Sequence, residues 1–394
     1  MYRSVIKSGS RENKVISPFS LLSVLSLVML GAKDITRNQI RDALNLPCNE
    51  EETYYSAYFN TIKTIFKLQK NPNKILDDHF MLDAANRIYI DKSIDLIDTY
   101  IERSRTLLNA EPAKTSFSED PEAARAKINS WVEMKTRKKI QNILPQNSVD
   151  TNTKVILVNA LYLNASWSHP FSSVSRKKFY HNINAGSTSE EEVKKAYKMV
   201  DMMNVVGSFV TGSFPSPINA ELLVLPYQSE SVTASMVIIL PTNNSGKNNL
   251  EEIEYKITSL LNGELTEIIA SLYKKDEGSE SLTRVEMPKF KIETEVDLKS
   301  TLVELGVKAL FDPTECDFSR MIKDSSVGLK VDSVLQKSYI STGLHGTEAA
   351  AATTTISKTS FPSQARKKFI VDRPFIFIIR VNDINLFIGK VHKL

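Results

Sequence analysis

The chain has few of the residue types that carry a disulfide framework, a metal site or enzyme chemistry. Only two cysteines occur in 394 residues, Cys48 and Cys316, and neither has a CxxC or Cys/His spacing. This argues against a disulfide-stapled fold and a zinc site. The five histidines are scattered singly, and the GxSxG, HExxH, GxGxxG and P-loop patterns are missing. We expect two free, buried thiols, no cofactor, no metal and no catalytic residues.

Long apolar runs and a strong charge imbalance are also missing. The apolar run at residues 21–32 is too short to span a bilayer and follows a long polar segment, so it predicts a core helix. The 50 basic residues face 46 acidic ones, which leaves a net charge of only +4. We therefore expect no nucleic-acid partner and no membrane insertion. Without a classical signal, a cytoplasmic location or export by another route is expected.

Three local basic clusters stand out from this balance. Arg-Lys-Lys occurs at residues 137–139, 176–178 and 366–368. Three basic residues make few simultaneous anion contacts. Each triplet is therefore interpreted first as solvated surface and second as a weak site for a polyanion such as heparin.

No linker, composition shift or internal repeat divides the chain, so residues 1–394 are predicted to form one domain. Strands set among helical blocks without a βαβ rhythm predict an α+β fold with large antiparallel or mixed sheets. Periodicity and turn residues predict helices at residues 18–31, 54–68, 94–108 and 121–136, the last capped by Asp120. They predict strands at residues 155–163, 222–225, 235–240, 284–292, 369–371 and 375–380.

One segment near the C-terminus is unlike an ordinary core strand. From Thr347 it reads TEAAAATTTISKTSF, with no Gly or Pro before Pro362. Alternate strand side chains face opposite sides, so one set could enter a packed interior without overpacking it. A strand over these residues would be roughly 45 Å long at about 3.3 Å per residue. A flexible linker or a short Ala-rich helix is the alternative. The small-residue set is Thr347, Ala349, Ala351, Thr353, Thr355, Ser357 and Thr359.

The start of this segment resembles the hinge of inhibitory serpins. The matching residues are Gly346, Thr347, Glu348, Ala349, Ala350, Ala351, Ala352 and Thr353. Other serpin-like motifs follow in serpin order: NKVISPFS at 13–20, LGAK at 30–33, NR at 86–87, INSWVE at 128–133, residues 159–167, VDMM at 200–203, residues 225–227, MPKFK at 287–291, DFS at 317–319 and DRPFIF at 372–377. The chain is most similar to the ovalbumin-type branch, clade B. Its general character is similar to that of parasitic-flatworm serpins, although no single motif carries this.

The resemblance implies three sheets (A, B and C), about nine helices and an exposed reactive-centre loop at about residues 344–368. It also implies a monomer that forms a covalent complex with a serine protease. The protease attacks a loop bond, and the loop then inserts into sheet A before the acyl-enzyme is hydrolysed. The positions implied to control sheet opening, the shutter and breach, are Ser17, Ser20, Asn159, Trp167, Lys289, Gln336 and Leu344.

Counting from the hinge, the resemblance places the reactive bond between Ser360 and Phe361. A small Ser360 suits elastase-like proteases. A register that uses Phe361 suits chymotrypsin-like ones, although the following bond is then an imide to Pro362. Lys358 and Arg366 are the weaker, trypsin-like alternatives.

Two positions depart from the serpin pattern. Leu344 stands where an acidic residue usually pairs with the lysine that aligns with Lys289, so that bridge cannot form. Gln336 replaces the usual histidine and is predicted to form hydrogen bonds near Ser17, Ser20 and Asn159. The alternative function is a non-inhibitory serpin that acts as a carrier, chaperone or storage protein.

Overall fold

A computed structural model describes residues 5, 11–46, 51–66, 79–108, 110–181, 196–214, 218–230, 232–242, 250–259, 263–276, 282–347 and 367–394. These residues form an α+β fold, which confirms the predicted class, and eight α-helices lie within them, where about nine were expected of the whole chain. The helices are α1 (Pro18–Gly31), α2 (Asp34–Ala43), α3 (Glu51–Phe66), α4 (Asp98–Leu108), α5 (Pro121–Lys135), α6 (Leu250–Ser259), α7 (Leu265–Asp276) and α8 (Lys299–Glu304).

The strands assemble into three sheets, as predicted. Sheet 1 has the order β1-β16-β15-β9-β8-β7, sheet 2 the order β14-β10-β6-β5, and sheet 3 the order β11-β12-β4-β2-β3 with β13 on β4. The strands are β1 (Lys14–Ile16), β2 (Phe80–Asp91), β3 (Ala113–Thr115), β4 (Val155–Ser166), β5 (Ser173–Tyr180), β6 (Tyr197–Gly207), β7 (Val210–Phe214), β8 (Ala220–Pro226), β9 (Ala234–Pro241), β10 (Thr283–Pro288), β11 (Lys291–Asp297), β12 (Ser333–Ser341), β13 (Gly346–Thr347), β14 (Lys367–Ile370), β15 (Phe375–Val381) and β16 (Ile384–Val391).

Helix boundaries follow the capping residues. The Ser17 side chain accepts a hydrogen bond from the Ser20 amide and Pro18 occupies the first turn, so α1 begins where predicted. The Asp120 carboxylate caps α5 in the same way by accepting from the Ala123 amide. Helix α4 begins at Asp98 and not at residue 94, because Leu96 forms a β-bridge with Ile322.

The predicted strand at residues 284–292 is wrong as a single element. It is two strands, β10 in sheet 2 and β11 in sheet 3. Pro288 ends β10 because proline cannot donate to a ladder. The Lys289 amide then bonds the Asp201 carbonyl and Phe290 turns into the core, so the chain passes from one sheet to the other.

The central strands of sheet 3, β4 and β12, are buried on both faces. One face packs on α1 and sheet 1 in the main apolar core, and the other packs beneath α5 in a smaller cluster with residues 140–149. Among the described residues, no helix is long and apolar enough to cross a membrane.

Candidate functional site

The centre of sheet 3 is a parallel pair of strands, β12 and β4, that lie directly beside each other. Their register runs from Ser333 opposite Ile156 to Tyr339 opposite Tyr162. Beyond Tyr339 and Tyr162, toward the C-terminal ends of both strands, which we call the top, the two strands are no longer paired with each other. Here Gly346 and Thr347 pair antiparallel with Ser166 and Ala165 of β4. We call the β12–β4 boundary the seam; it is closed below and is entered at its top by the first two hinge residues.

Thr347 points into the protein at the top of the seam. Its side chain is fully buried, and its hydroxyl lies 2.7 Å from the Tyr227 hydroxyl. The Tyr227 ring stacks on Trp167 with a centroid separation of 4.6 Å. Burial raises the pKa of Tyr227, so its hydroxyl stays protonated. Thr347 therefore faces the interior, as expected for the first member of the alternating small-residue set; we call this alternation of inward small residues the parity argument.

Gly346 sits where no side chain fits. A Cβ at this position would overlap the Ala165 carbonyl oxygen and would lie 2.7 Å from the Ser166 Cα. The hinge backbone can therefore enter the top of sheet 3 only because residue 346 is glycine.

The turn before the hinge is fastened to the chain that leaves β4. The Trp167 indole donates to the Gly343 carbonyl at 3.0 Å, and the Trp167 amide donates to the His345 carbonyl at 2.8 Å. The Phe171 amide donates to the Leu344 carbonyl at 2.8 Å. These contacts give the predicted Trp167 a geometric role: it holds residues 343–345 at the mouth of the seam.

Leu344 and Lys289 lie in different environments. Leu344 packs against the core, whereas Lys289 is exposed and its ammonium forms no ion pair with any described residue. The structure therefore contains no acidic–basic bridge at this point.

On the core face of the seam, Gln336 joins three parts of the chain. Its Nε2 donates to the Ser17 carbonyl at 3.0 Å and to Asn159 Oδ1 at 3.1 Å, and its Oε1 accepts from the Ser17 amide at 3.3 Å. Ser20 contacts this cluster through its amide, which donates to the Ser17 hydroxyl, and through its hydroxyl, which donates to Asn86 Oδ1 at 2.8 Å. The hydrogen bonds predicted for Gln336 with Ser17 and Asn159 are thus present, and Asn86 is a member that sequence reasoning missed.

Two polar atoms on this face are left without partners. Asn159 Nδ2 and Ser338 Oγ are buried and form no hydrogen bond within the described part of the chain. A buried donor without a partner costs about 1–3 kcal/mol. The closed seam therefore contains destabilising groups at its centre.

The opposite face of the seam carries a buried ammonium. Lys337 lies 3.1 Å from the Glu293 carboxylate and 3.2 Å from that of Glu295, and it donates to the Gln141 carbonyl at 2.9 Å. It joins β11 and β12 to the segment after α5. Sequence analysis missed it because nothing in the local pattern marks a lysine on a two-sided buried strand.

The remaining predicted site residues lie outside the described residues. These are the hinge residues Glu348, Ala349, Ala350, Ala351, Ala352 and Thr353 and the bond residues Ser360 and Phe361. Cys316 is free but only half-buried, which corrects the expectation of a buried thiol, and burial raises its pKa to about 12. The described residues contain no group of three or more His, Cys, Asp or Glu side chains that could hold a metal ion.

Comparisons with known proteins agree with this architecture. The family model described as Serpin (serine protease inhibitor) matches residues 1–394. The chain is 32% identical to Serpin B3 of Homo sapiens, covering 97% of this chain and 94% of that protein. It is 31% identical to the leukocyte elastase inhibitor of Equus caballus, covering 99% and 95%. Serpin48 of the insect Tenebrio molitor, described as highly specific, has a TM-score of 0.77 at 30% identity, with 100% and 94% coverage.

Proposed function

Because this chain belongs to the serpin family of serine protease inhibitors, we propose that it acts as a suicide substrate of a chymotrypsin-like or elastase-like serine protease. It is an inhibitor and not an enzyme. The proposed reactive bond joins Ser360 to Phe361. The observation that carries the proposal is the entry of Gly346 and Thr347 into the top of a seam that is closed below them.

The register at the top of the seam predicts how an inserted loop would pair. Thr347 lies opposite Ala165 on β4 and opposite Thr342 next to β12. If the loop continued antiparallel to β4 and β12 from these two pairings, Thr353 would lie between Asn159 on β4 and Gln336 on β12. The two extrapolations agree with each other, because Gln336 and Asn159 are already opposite partners.

The same register gives the small residues a place in the core. Ala349 would lie between Leu163 and Ile340, both of which are fully buried. A larger side chain there would overpack the interior at a cost of about 1–3 kcal/mol. The inward-facing residues of an inserted loop must therefore be small where their neighbours on β4 and β12 are buried, and the alternating small residues of this segment meet that requirement.

Insertion would also relieve one of the two unsatisfied groups of the seam. A hydroxyl at Thr353 can accept from Asn159 Nδ2, which has no partner among the described residues in the closed seam. About a dozen new ladder hydrogen bonds at roughly 0.5–1.5 kcal/mol each add on the order of 10 kcal/mol. The closed state is therefore proposed to be metastable toward the inserted one.

Cleavage supplies the trigger. The protease serine attacks the Ser360 carbonyl, the Ser360–Phe361 bond breaks, and the amine of Phe361 leaves with a proton. The protease stays esterified to Ser360 while the freed segment inserts and carries it away. A displacement of about 1 Å in its catalytic geometry is enough to slow deacylation about 100-fold.

The test is to mix the protein with chymotrypsin and with pancreatic elastase. We expect a covalent complex that survives SDS, and mass spectrometry should place the acyl bond at Ser360. Proteases whose active-site serine is replaced by alanine are the control and should give no such complex. If only cleaved chain forms, at every ratio of inhibitor to protease, the proposal is wrong.

A carrier, chaperone or storage function is the alternative, and heat stability separates the two. An inhibitor whose loop inserts should melt far higher after loop cleavage than before it. Equal melting temperatures of the intact and cleaved chains would favour the alternative function.

A further inference from the structure

Sheet 2 holds a concentration of positive charge that the proposed inhibitory function does not use. Its four strands contain seven basic and two acidic residues, a net charge of +5, whereas the whole chain has +4. Residues from two of the three Arg-Lys-Lys triplets lie on this sheet. One lies at residues 176–178 on the edge strand β5, and the other supplies Lys367 and Lys368 at the start of the opposite edge strand β14.

The two acidic residues of the sheet are already paired. Asp201 lies 3.2 Å from Arg176 on one face. On the other face, the Glu286 carboxylate lies 2.6 Å from the Lys177 ammonium. Neither carboxylate remains to balance the other cations of the sheet.

Besides Lys198 near the start of β6, the cations left on the Lys177 face are Arg284 and Lys368. They are direct neighbours in the parallel β10–β14 register, both are exposed, and neither has an acidic partner within the described ranges. Like charges directly opposite each other on a sheet are destabilising. A bound anion between them would remove that repulsion.

Beside Arg284 the surface is concave and lined with hydrogen-bond donors. A cavity of about 330 Å³ opens there. The Ser175 hydroxyl accepts from the Asn204 amide at 3.1 Å, which leaves its own proton available. No carboxylate lines this cavity. Its lining includes Ser172, Ser173, Ser175, Asn204, Val206 and Arg284.

We propose that this cavity is a binding site for a tetrahedral oxyanion, the sulfate or phosphate group of a polyanion or free inorganic phosphate. The Arg284 guanidinium would bind two of its oxygens, because planar guanidinium matches such groups in a bidentate manner. The Ser173 and Ser175 hydroxyls would donate to the remaining oxygens, and Lys368 would add charge at the rim. The cavity is at the lower end of the usual range for ligand pockets, about 300–1,000 Å³, so it has room for part of the carrier.

The experiment measures binding by calorimetry and by thermal shift, with a heparin hexasaccharide, its desulfated form and inorganic phosphate as probes. In the double variant Arg284→Ala/Lys368→Ala, affinity for the hexasaccharide should fall at least about tenfold, because the charge-assisted hydrogen bonds to the oxyanion are lost. The desulfated form should not bind the native protein. Binding without sulfate groups would overturn the proposal.

Two matched variants separate a built site from diffuse attraction. Arg176→Ala/Lys178→Ala removes the same charge from the opposite face and should change the affinity by less than about threefold. Ser173→Ala/Ser175→Ala changes no charge and should still weaken binding about fivefold. Equal losses in the two charge variants, or no loss in the serine variant, would overturn the proposal.

The phosphate arm identifies the source of the anion. If phosphate alone stabilises the native protein but not the Arg284→Ala/Lys368→Ala variant, and competes with the hexasaccharide, the site recognises the oxyanion itself. If phosphate has no effect while the hexasaccharide binds, the site requires a sulfated carrier. Absence of binding by both probes would overturn the proposal. Because no protease is present, these results are independent of inhibitory activity.

Discussion

Sheets 1 and 3 are both six-stranded, but they differ in how their central strands are held together. In sheet 1 every neighbouring pair is antiparallel, and all seven residues of β15 are buried. The central pair of sheet 3 is parallel, a slightly weaker pairing, and its core face carries Gln336, Asn159 and Ser338. An apolar, wholly antiparallel sheet thus lies beside a sheet whose polar centre we propose to open.

The packing around β15 shows what the seam lacks. The Phe377 ring sits against Gly389, where a Cβ would overlap it, and lies 5.3 Å from the Phe290 ring between centroids. Separating β15 from its neighbours would leave large apolar surfaces exposed to water. Separating β12 from β4 breaks side-chain hydrogen bonds that an inserted residue can remake.

The strongest test of this contrast is Thr347→Arg at the mouth of the seam. A charge at this fully buried position cannot be solvated, so the inserted strand cannot form and the protein should become a substrate. We expect cleavage with complete loss of the SDS-stable complex. Glu348→Arg, on the opposite parity, is the control and should retain the complex. Complex formation by the Thr347 variant would disprove the parity argument.

Phe377→Ala tests the rigid sheet. Truncating this fully buried side chain should lower the free energy of unfolding by about 3–5 kcal/mol. Denaturant titration of the intact and the loop-cleaved chain should show a similar loss in both, because β15 lies outside the seam. A loss confined to the intact form would mean that sheet 1 also rearranges.

Gln336→Ala tests the polar centre of the seam. Removing its three hydrogen bonds should destabilise the intact chain by about 1–3 kcal/mol. The loop-cleaved chain should lose less, because an inserted Thr353 would already separate Gln336 from Asn159 and break one of the three. Gln39→Ala is matched to it, since Gln39 Oε1 accepts from the Lys308 and Ala309 amides far from the seam. That variant should destabilise both forms equally. If Gln336→Ala, like Gln39→Ala, destabilised the intact and the loop-cleaved chain equally, the seam hydrogen bonds would not be specific to the closed state.

The smallest expected effect is a dependence on pH that belongs to sheet 1. Burial, then Arg11 and Lys390, lowers the pKa of His392, just beyond β16, from 6.5 to about 4. Below pH 6.5 the unfolded chain binds this proton more readily than the folded chain, so stability falls as pH drops from 6.5 to 4. The melting temperature should fall by a few degrees between pH 7.5 and 5, and less in His392→Gln. Gln336 should add no such dependence, because its side-chain amide does not titrate.

Local sequence signals were sufficient to predict those elements whose boundaries depend on neighbouring residues in the chain. The apolar run and Ser17 predicted α1, and Asp120 predicted the start of α5. Strand β2 was missed because its polar residues hide the pattern. Asp83 pairs with Arg137 at 2.7 Å, and Arg87 lies 4.1 Å above the Trp131 ring. Those partners come from distant parts of the sequence, so no local pattern marks them.

By itself, the sequence determined the serpin resemblance, the small-residue parity of the hinge and the replacements at Leu344 and Gln336, because these are properties of residue type and spacing. Only the tertiary structure decided that the seam is closed, that Asn159 and Ser338 carry atoms without a described partner, and that residues 176–178 share one sheet with Lys367 and Lys368. Register between strands and the meeting of distant charges depend on pairings across as many as 376 residues, the separation of Lys14 from its partner Lys390. A linear pattern cannot specify such pairings, because each is set by packing of the whole core.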